Sequence, residues 1–579
     1  MIEISKIFKI ILFFLRNELK TLKLRYEYIC TFLNEINLIQ YFFLKINFNK
    51  NLNIFLIDDQ NKYILALNEI YNKKTKRVLK KKIILVESFI NHPIYTISQC
   101  FIAKKISHST QAECQGILRV GDVKSAAIMH AFGIKKIIYI NEGSVFSRFY
   151  YLCIAYNYLK KIKNIKELLS FTIDKIEYGR IIYEQQIRFK KDPDIKKIYS
   201  DFCLLLAKSL IHNYQFHNIF KKYNKTYLVQ SETQFFPYRI CMQNALKFKN
   251  KVISRSGVSF NGFKVYKKYS ERNENRIKIL QPFFNSYYKN FYIKNEKKIN
   301  SLFLAHNKIN MSGEHIHSLS KNKKNYTIID SKKKICDHFK WELNKPIVII
   351  YSHAFTDGNL HNKWNLFEND MVWLRETLKT ISTIDNVNWI IKPHPNEKYE
   401  NAKISSNILF KRYSKNKKNI KFLSDKLKVQ KFEKIYFAAI TSHGTAGFQF
   451  PGYGIPTIVC GDTPYASLGF NVEPKTQHQY FQILENIKNI KINKNAIKRC
   501  KFFYYFFHII CTVKNPLMFE TNISNSYNKK LFWKKALKVL IKNKNFDKNF
   551  TKSLEHLTVK KNTTLVNLEK INSIKNINL

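Results

Sequence analysis

Two short segments carry the residue types best suited to chemistry: Lys392–Pro393–His394–Pro395 and Thr441–Ser442–His443–Gly444–Thr445–Ala446–Gly447. Each follows an apolar run, Val387 to Ile391 and Ile435 to Ile440, that reads as a buried strand. Polar groups and glycines at the carboxyl ends of parallel strands are where open α/β sheets hold ligands. The second segment is rich in hydroxyls and is predicted to open a helix, whose unpaired N–H groups and positive dipole end suit a phosphate. Thr441, Ser442, Thr445 and the amides around Gly444 would then face a leaving group as it gains negative charge, where preorganised donors lower a barrier. His394 sits between two prolines, so its backbone is restricted. Its ring can donate a hydrogen bond to the same phosphate, and Lys392 can add positive charge beside it. The chemistry implied is that of a phosphorylated, nucleotide-bearing substrate. The bland alternatives are a histidine that caps its loop and an ordinary helix N-cap worth about 1 kcal/mol.

The elements that must hold these segments follow from apolar periodicity. Ile83–Ile84–Leu85–Val86, Lys136 to Ile140 and Thr226 to Val229 read as buried parallel strands of a first α/β domain over residues 51–300. Residues 301–340 are polar and lysine-rich, as suits a linker. A second α/β domain spans 341–475: a strand at Pro346 to Tyr351, a helix with Met371, Leu374, Leu378 and Ile381 on one face, and strands at 387–391, near Ile420, at 435–440 and at Thr457 to Cys460. Residues 1–50 form an N-terminal helical extension, packed on the domain or lying on a membrane surface; 476–545 are C-terminal helices, and 546–579 a low-complexity tail. The expected fold class is α/β and GT-B-like, two doubly wound Rossmann-like domains facing a cleft.

Composition narrows the partners. Among 579 residues, 99 are basic and 42 acidic, giving a net charge of +57. The lysines are spread along the chain and no nucleic-acid-binding signature accompanies them, so nucleic acid is not the expected partner. Attraction to an anionic membrane fits better, at about 1 kcal/mol per basic residue near such a surface. The ten cysteines are scattered without a C-x-x-C pair, which fits a reducing cytoplasm rather than a disulfide framework or zinc site. The apolar run at Phe8 to Leu15 is too short to span a bilayer. The expected location is cytoplasmic, with possible peripheral contact to the inner membrane.

Three stretches carry a family resemblance: Tyr351 to Gly358 (YSHAFTDG), Val387 to Pro395 (VNWIIKPHP) and Thr441 to Pro456 (TSHGTAGFQFPGYGIP). The chain resembles bacterial capsule and surface-polysaccharide biosynthesis proteins, GT-B glycosyltransferases related to the Kdo-transferring capsule enzymes. Tyr178 to Arg188 and Ser231 to Arg239 look like landmarks of the same family's first domain. The resemblance implies a nucleotide-sugar donor, such as a CMP-linked sugar, and a lipid-linked or growing glycan acceptor. It places His353, His394, His443 and the Thr441–Thr445 segment at the nucleotide. Gln449 stands where the pattern commonly has Glu near the ribose, and would hydrogen-bond a hydroxyl without charge. Arg180 stands where it usually has Asp.

Transfer to a hydroxyl requires a group that takes its proton. Asp357, in the loop that carries His353, and Glu142, in Asn141–Glu142–Gly143–Ser144, are the candidates; Glu142 also resembles the acidic-residue-plus-glycine motif of sialyltransferases. Either can equally be a turn or capping carboxylate. Glu232 and Arg239 are lesser candidates for acceptor contacts. No His, Asp or Glu cluster has metal-ligand spacing, so neither a metal nor another cofactor is expected. Two rival readings are a CDP-glycerol-type phosphotransferase and a basic membrane-associated scaffold.

Overall fold

The computed structural model describes residues 58–71, 82–90, 92–120, 122–198, 200–257, 260–273, 281–304, 328–358, 365–423, 435–518, 530–543 and 548–558. The expected helical extension at 1–50 lies outside them, as do most of the expected linker and the end of the tail.

The first sheet contains β1 (Ile83–Ser88), β2 (Glu113–Arg119), β3 (Lys136–Ile140), β4 (Tyr227–Gln230), β5 (Lys251–Ser256) and β6 (Phe260–Tyr266). The second contains β7 (Ile347–Tyr351), β8 (Asn388–Lys392), β9 (Ile420–Phe422), β10 (Ala438–Thr441) and β11 (Thr457–Val459); β12 (Val513–Lys514) returns to the first. Strand order is β12-β6-β5-β4-β1-β2-β3 in one sheet and β11-β10-β7-β8-β9 in the other. The second sheet is parallel throughout, and the first is parallel from β3 across to β5 with β6 and β12 antiparallel at its edge. The central strands are apolar on both faces because helices cover both sides. Ile347, Val348, Ile349 and Ile350 of β7 are all fully buried. Both sheets are doubly wound in the same order, which places a topological switch point between β1 and β4 in one and between β7 and β10 in the other.

The switch point of the first sheet is tied shut. Glu87, at the end of β1, is buried, and its Oε1 accepts from the Ser231 N–H at 2.5 Å and the Ser231 hydroxyl at 2.7 Å beyond β4. Its Oε2 accepts from the Phe89 N–H at 3.0 Å. Burial pushes the Glu87 carboxyl up to about 7 even so.

The expected domain bounds differ from the packing in three places. The Gln281–Leu304 helix lies beyond the first sheet and packs on the second half, with Phe284, Phe291, Ile299 and Phe303 in one core with Phe448, Tyr465 and Phe502. Within the expected linker, the Ile328–Phe339 helix buries Ile335 and Cys336 against Ile347, Ile349 and Ile390. The Lys530–Asn543 and Lys548–Thr558 helices turn back to the first domain, burying Trp533, Leu540, Phe550 and Leu554 with Tyr63, Leu67 and Phe101. Part of the expected tail is thus core. Lysine and asparagine runs on the outer face of an amphipathic helix look like low complexity until its apolar stripe has a partner.

The two halves also touch through side chains. The Lys403 ammonium lies 3.2 Å from Asp192, the Lys403 N–H donates to the Lys191 carbonyl at 2.7 Å, and Arg188 lies 3.9 Å from Asp357. No helix among the described residues is long and apolar enough to cross a membrane, and the nine described cysteines are free thiols.

Candidate functional site

The loops leaving β7, β8 and β10 meet at the switch point of the second sheet. Tyr351 pairs with Lys392 on one side and Thr441 on the other, so the residues that follow, His353, His394 and His443, leave from one edge. Their rings form a stack: His353 and His443 have centroids 4.0 Å apart at 29°, and His353 and His394 6.1 Å apart at 19°. The two segments separated in sequence are therefore one site, and His353 is the plate between them.

Backbone geometry fixes which nitrogen of each ring does what. The Asn396 N–H donates to His394 Nδ1 at 3.2 Å, so neutral His394 carries its proton on Nε2 and offers that N–H as a donor. His353 Nε2 lies 3.4 Å from the Thr441 hydroxyl and 3.5 Å from the His443 N–H, while Thr441 Oγ1 accepts from the Gly444 N–H at 3.1 Å. His353 Nε2 is thus an acceptor. Burial, then the neighbouring His443, push the His353 imidazole down to about 3 against the opposing effect of Asp370, with His394 adding a smaller push, so it stays neutral.

Asp370 is the residue the sequence did not single out. It lies in the first turn of the Asp370–Ile381 helix, whose expected face of Met371, Leu374, Leu378 and Ile381 is buried. An acid in a first turn usually answers the helix dipole from the surface. This one is 3% exposed, and its Oδ1 lies 3.5 Å from His443 Nδ1, which is also 3.0 Å from the Ser442 hydroxyl. His443 Nδ1 therefore faces both a carboxylate and a hydroxyl. Only the burial marks Asp370, and burial is a tertiary fact.

The spacing argument against a metal cluster needs correction. Among the described residues, His353, Asp370 and His443 offer donor atoms within 4.8 Å of one another, and folding assembles them from three separate loops. The His353 and His443 rings stack with their planes tilted by 29°. The arrangement is a buried carboxylate 3.5 Å from one imidazole, which is stacked on a second ring.

The helix expected after Thr445 also differs. Ala446–Gln449 is a single turn that passes into a 3-10 turn at Pro451–Tyr453, and Thr445 makes no side-chain cap. One turn has little macrodipole, so the polar groups this edge offers are its imidazoles and hydroxyls. Gly444 is required by space: a Cβ there would meet Thr441 Oγ1 at 2.8 Å and His353 Nε2 at 3.3 Å. Gln449 is half-buried at the end of the turn, and Lys392 is half-buried at the end of β8.

The acid/base candidates sit elsewhere. Asp357, in the loop of His353, is half exposed and faces Arg188 of the first domain, whose guanidinium also stacks 4.0 Å over the Phe235 ring. Glu142 follows β3 and lies 2.8 Å from the Lys208 ammonium. Burial works to raise its carboxyl, but Lys208, His212 and Arg119 outweigh it and hold it below the ordinary range. Beside it, His212 is 2% exposed, and neither ring nitrogen has a hydrogen-bond partner among the described residues. Desolvation pushes its imidazole down to about 4. Nothing in the apolar surroundings of the Ser200–Lys222 helix announced this residue.

Two lesser candidates have structural roles. Arg239 is 1% exposed and is held by Glu177, by Glu184 at 3.4 Å and by the Tyr269 hydroxyl at 2.6 Å, which withdraws it from any acceptor. Glu232 accepts the Thr233 and Gln234 N–H groups at 2.6 and 3.1 Å as a turn carboxylate. Arg180 lies near Glu177, whose carboxyl it helps lower after Arg239 and Tyr269.

No protein-family model matches the chain, and no curated relative is found. Among solved structures, the chain is similar to the Thermosulfurimonas dismutans KpsC β-Kdo 2,7 transferase, with 11% identity over 57% of this chain and 89% of that one and a TM-score of 0.28. It is similar to a glycosyltransferase from Rickettsia africae, with 13% identity over 86% and 100% and a TM-score of 0.24. It is also similar to S. aureus MnaA in a structure with UDP, with 11% identity over 73% and 91% and a TM-score of 0.25. At these values the chemistry is argued from the chain's own residues, in two doubly wound α/β domains with the histidine stack at the switch point of the second.

Proposed function

We propose that the protein is a glycosyltransferase of capsule or other surface polysaccharide synthesis, moving a sugar from a nucleotide donor such as a CMP-linked sugar to a lipid-linked or growing glycan acceptor on the cytoplasmic side of the inner membrane. The observation that carries this reading is the imidazole stack His394–His353–His443 with the Thr441 hydroxyl at the β7/β10 switch point. There His394 Nε2–H and the Ser442 and Thr445 hydroxyls donate to the phosphate of the leaving nucleotide, with Lys392 adding charge. Gln449 meets the ribose. Asp357 takes the acceptor proton, with Glu142 the alternative base across the domain boundary. Glu142 is the weaker of the two, because a carboxylate held ionised by Lys208 and Arg119 is a poor proton acceptor. No metal or other cofactor takes part in this reading.

A thermal-shift panel of CMP, CDP and UDP on the full chain tests it, repeated on His394→Ala and in a chelator. Stabilisation by one nucleotide, kept in the chelator and lost in the variant, is the expected result. Turnover of CDP-glycerol but of no nucleotide sugar would make the protein a phosphotransferase, and absence of any nucleotide effect would favour a scaffold.

A further inference from the structure

The Val145–Leu159 helix is apolar on the side that should be polar. Its inner face buries Leu152, Ala155 and Leu159 in the first-domain core. Its outer face, at spacings of three and four, carries Phe146, Phe149, Tyr150 and Cys153, with Phe146 88% and Tyr150 61% exposed. Tyr214, 59% exposed on the adjoining Ser200–Lys222 helix, lies close enough to Tyr151 to raise its phenol after burial does, which extends the aromatic face across both helices. A helix facing water would place charge here.

What surrounds this face is cationic. The helix contains Arg148 and no carboxylate; exposed Lys160, Lys161, Lys163 and Lys166 follow it, and exposed Lys221 and Lys222 end the adjoining helix. The nearby acids are Glu142, paired with Lys208, Glu167, which is engaged by the Asn164 side chain and the Lys163 N–H, and Asp174, which lies near Tyr178 with Tyr151 and Tyr158. Aromatic side chains with lysines in the segments where the two helices end match a bilayer with anionic headgroups: rings enter the interface and ammonium groups meet the lipid phosphates. We propose that the outer face of this helix, with Tyr214, docks the protein on an anionic membrane. Glu142 lies in the turn that starts the same helix, capped by Ser144, so docking would bring the carboxyl edge of β3 to the lipid surface. This inference rests on the proposed function only in taking a lipid-linked acceptor as the reason for the placement; docking itself is a separate property.

The test is co-sedimentation of the full chain with vesicles of phosphatidylcholine alone or mixed with phosphatidylglycerol. Binding is expected only to the anionic vesicles, falling as salt rises, and Phe146→Ser/Tyr150→Ser should weaken it about tenfold without shifting Tm, since both side chains face outward. Tyr214→Ser, on a different helix, should weaken it as well. Equal binding by wild type and the double variant overturns the proposal. So does binding lost on deleting residues 1–50 but kept in the double variant, or a concentration-dependent dimer that the double variant abolishes in protein that binds no vesicle. Because the readout is sedimentation and not turnover, its failure is distinct from that of the transferase reading.

Discussion

The imidazoles of His353 and His443 lie face to face, 4.0 Å between centroids, and the Asp370 carboxylate approaches Nδ1 of the second to 3.5 Å. One ring is kept neutral and accepting by burial, and the other faces a carboxylate. This approach predicts a positioning role for Asp370. Asp370→Asn should lower kcat by about tenfold to a hundredfold with KM for the donor nearly unchanged, and should displace the acid limb of the pH–rate profile. A residue that only packed would lower Tm and leave that limb in place.

Gly444→Ala places a methyl group between Thr441 Oγ1 and His353 Nε2, where the distances are 2.8 and 3.3 Å. Overpacking of this size costs about 1–3 kcal/mol. The prediction is a lower denaturation midpoint together with weaker nucleotide binding by calorimetry, because the same atoms line the proposed phosphate position.

Burial holds His212 at about 4 and His353 at about 3, against 6.5 for an exposed ring. The unfolded chain therefore binds protons that the folded chain refuses. The stability from each neutral ring is present above 6.5 and is lost as pH falls toward the folded value. Between pH 7 and pH 5, His212 alone should account for about 2 kcal/mol of lost stability. Urea denaturation of His212→Gln should show a shallower decline over that interval than wild type.

Arg188 and Asp357 lie 3.9 Å apart across the two domains, and both are nearly half exposed. Such a pair contributes little, about 0–1 kcal/mol. If Asp357 takes the acceptor proton, Asp357→Asn should lower turnover by about a hundredfold, whereas Arg188→Ala should leave turnover within about twofold and stability within about 1 kcal/mol. Equal losses in the two variants, measured as kcat on the same donor, would make Asp357 a tie between domains and not a base.

The sequence alone located the segments of the candidate site along the chain. Apolar runs ending in Lys392–Pro393–His394–Pro395 and Thr441–Ser442–His443–Gly444 spelled buried strands with polar ends, because a strand covered on both faces must be apolar throughout and its exit loop need not be. The same logic located β1, β3, β4 and β7 and the inner face of the Asp370–Ile381 helix. It missed β2, whose Glu113, Gln115 and Arg119 break the apolar run, although Cys114, Gly116, Ile117 and Leu118 are buried.

Tertiary structure decided what no spacing encodes. It set His353 between His394 and His443, buried Asp370 beside the latter, closed Arg239 into an ion-pair network, and cut the helix after Thr445 to one turn. It also returned the last described helices to the first domain, where Trp533 and Phe550 find Tyr63 and Phe101. Periodicity tells a segment which of its faces must be buried, since that depends on its own residues. Which surface covers that face, and whether a carboxylate beneath it meets water or an imidazole, depends on segments hundreds of residues away that only the folded chain brings together.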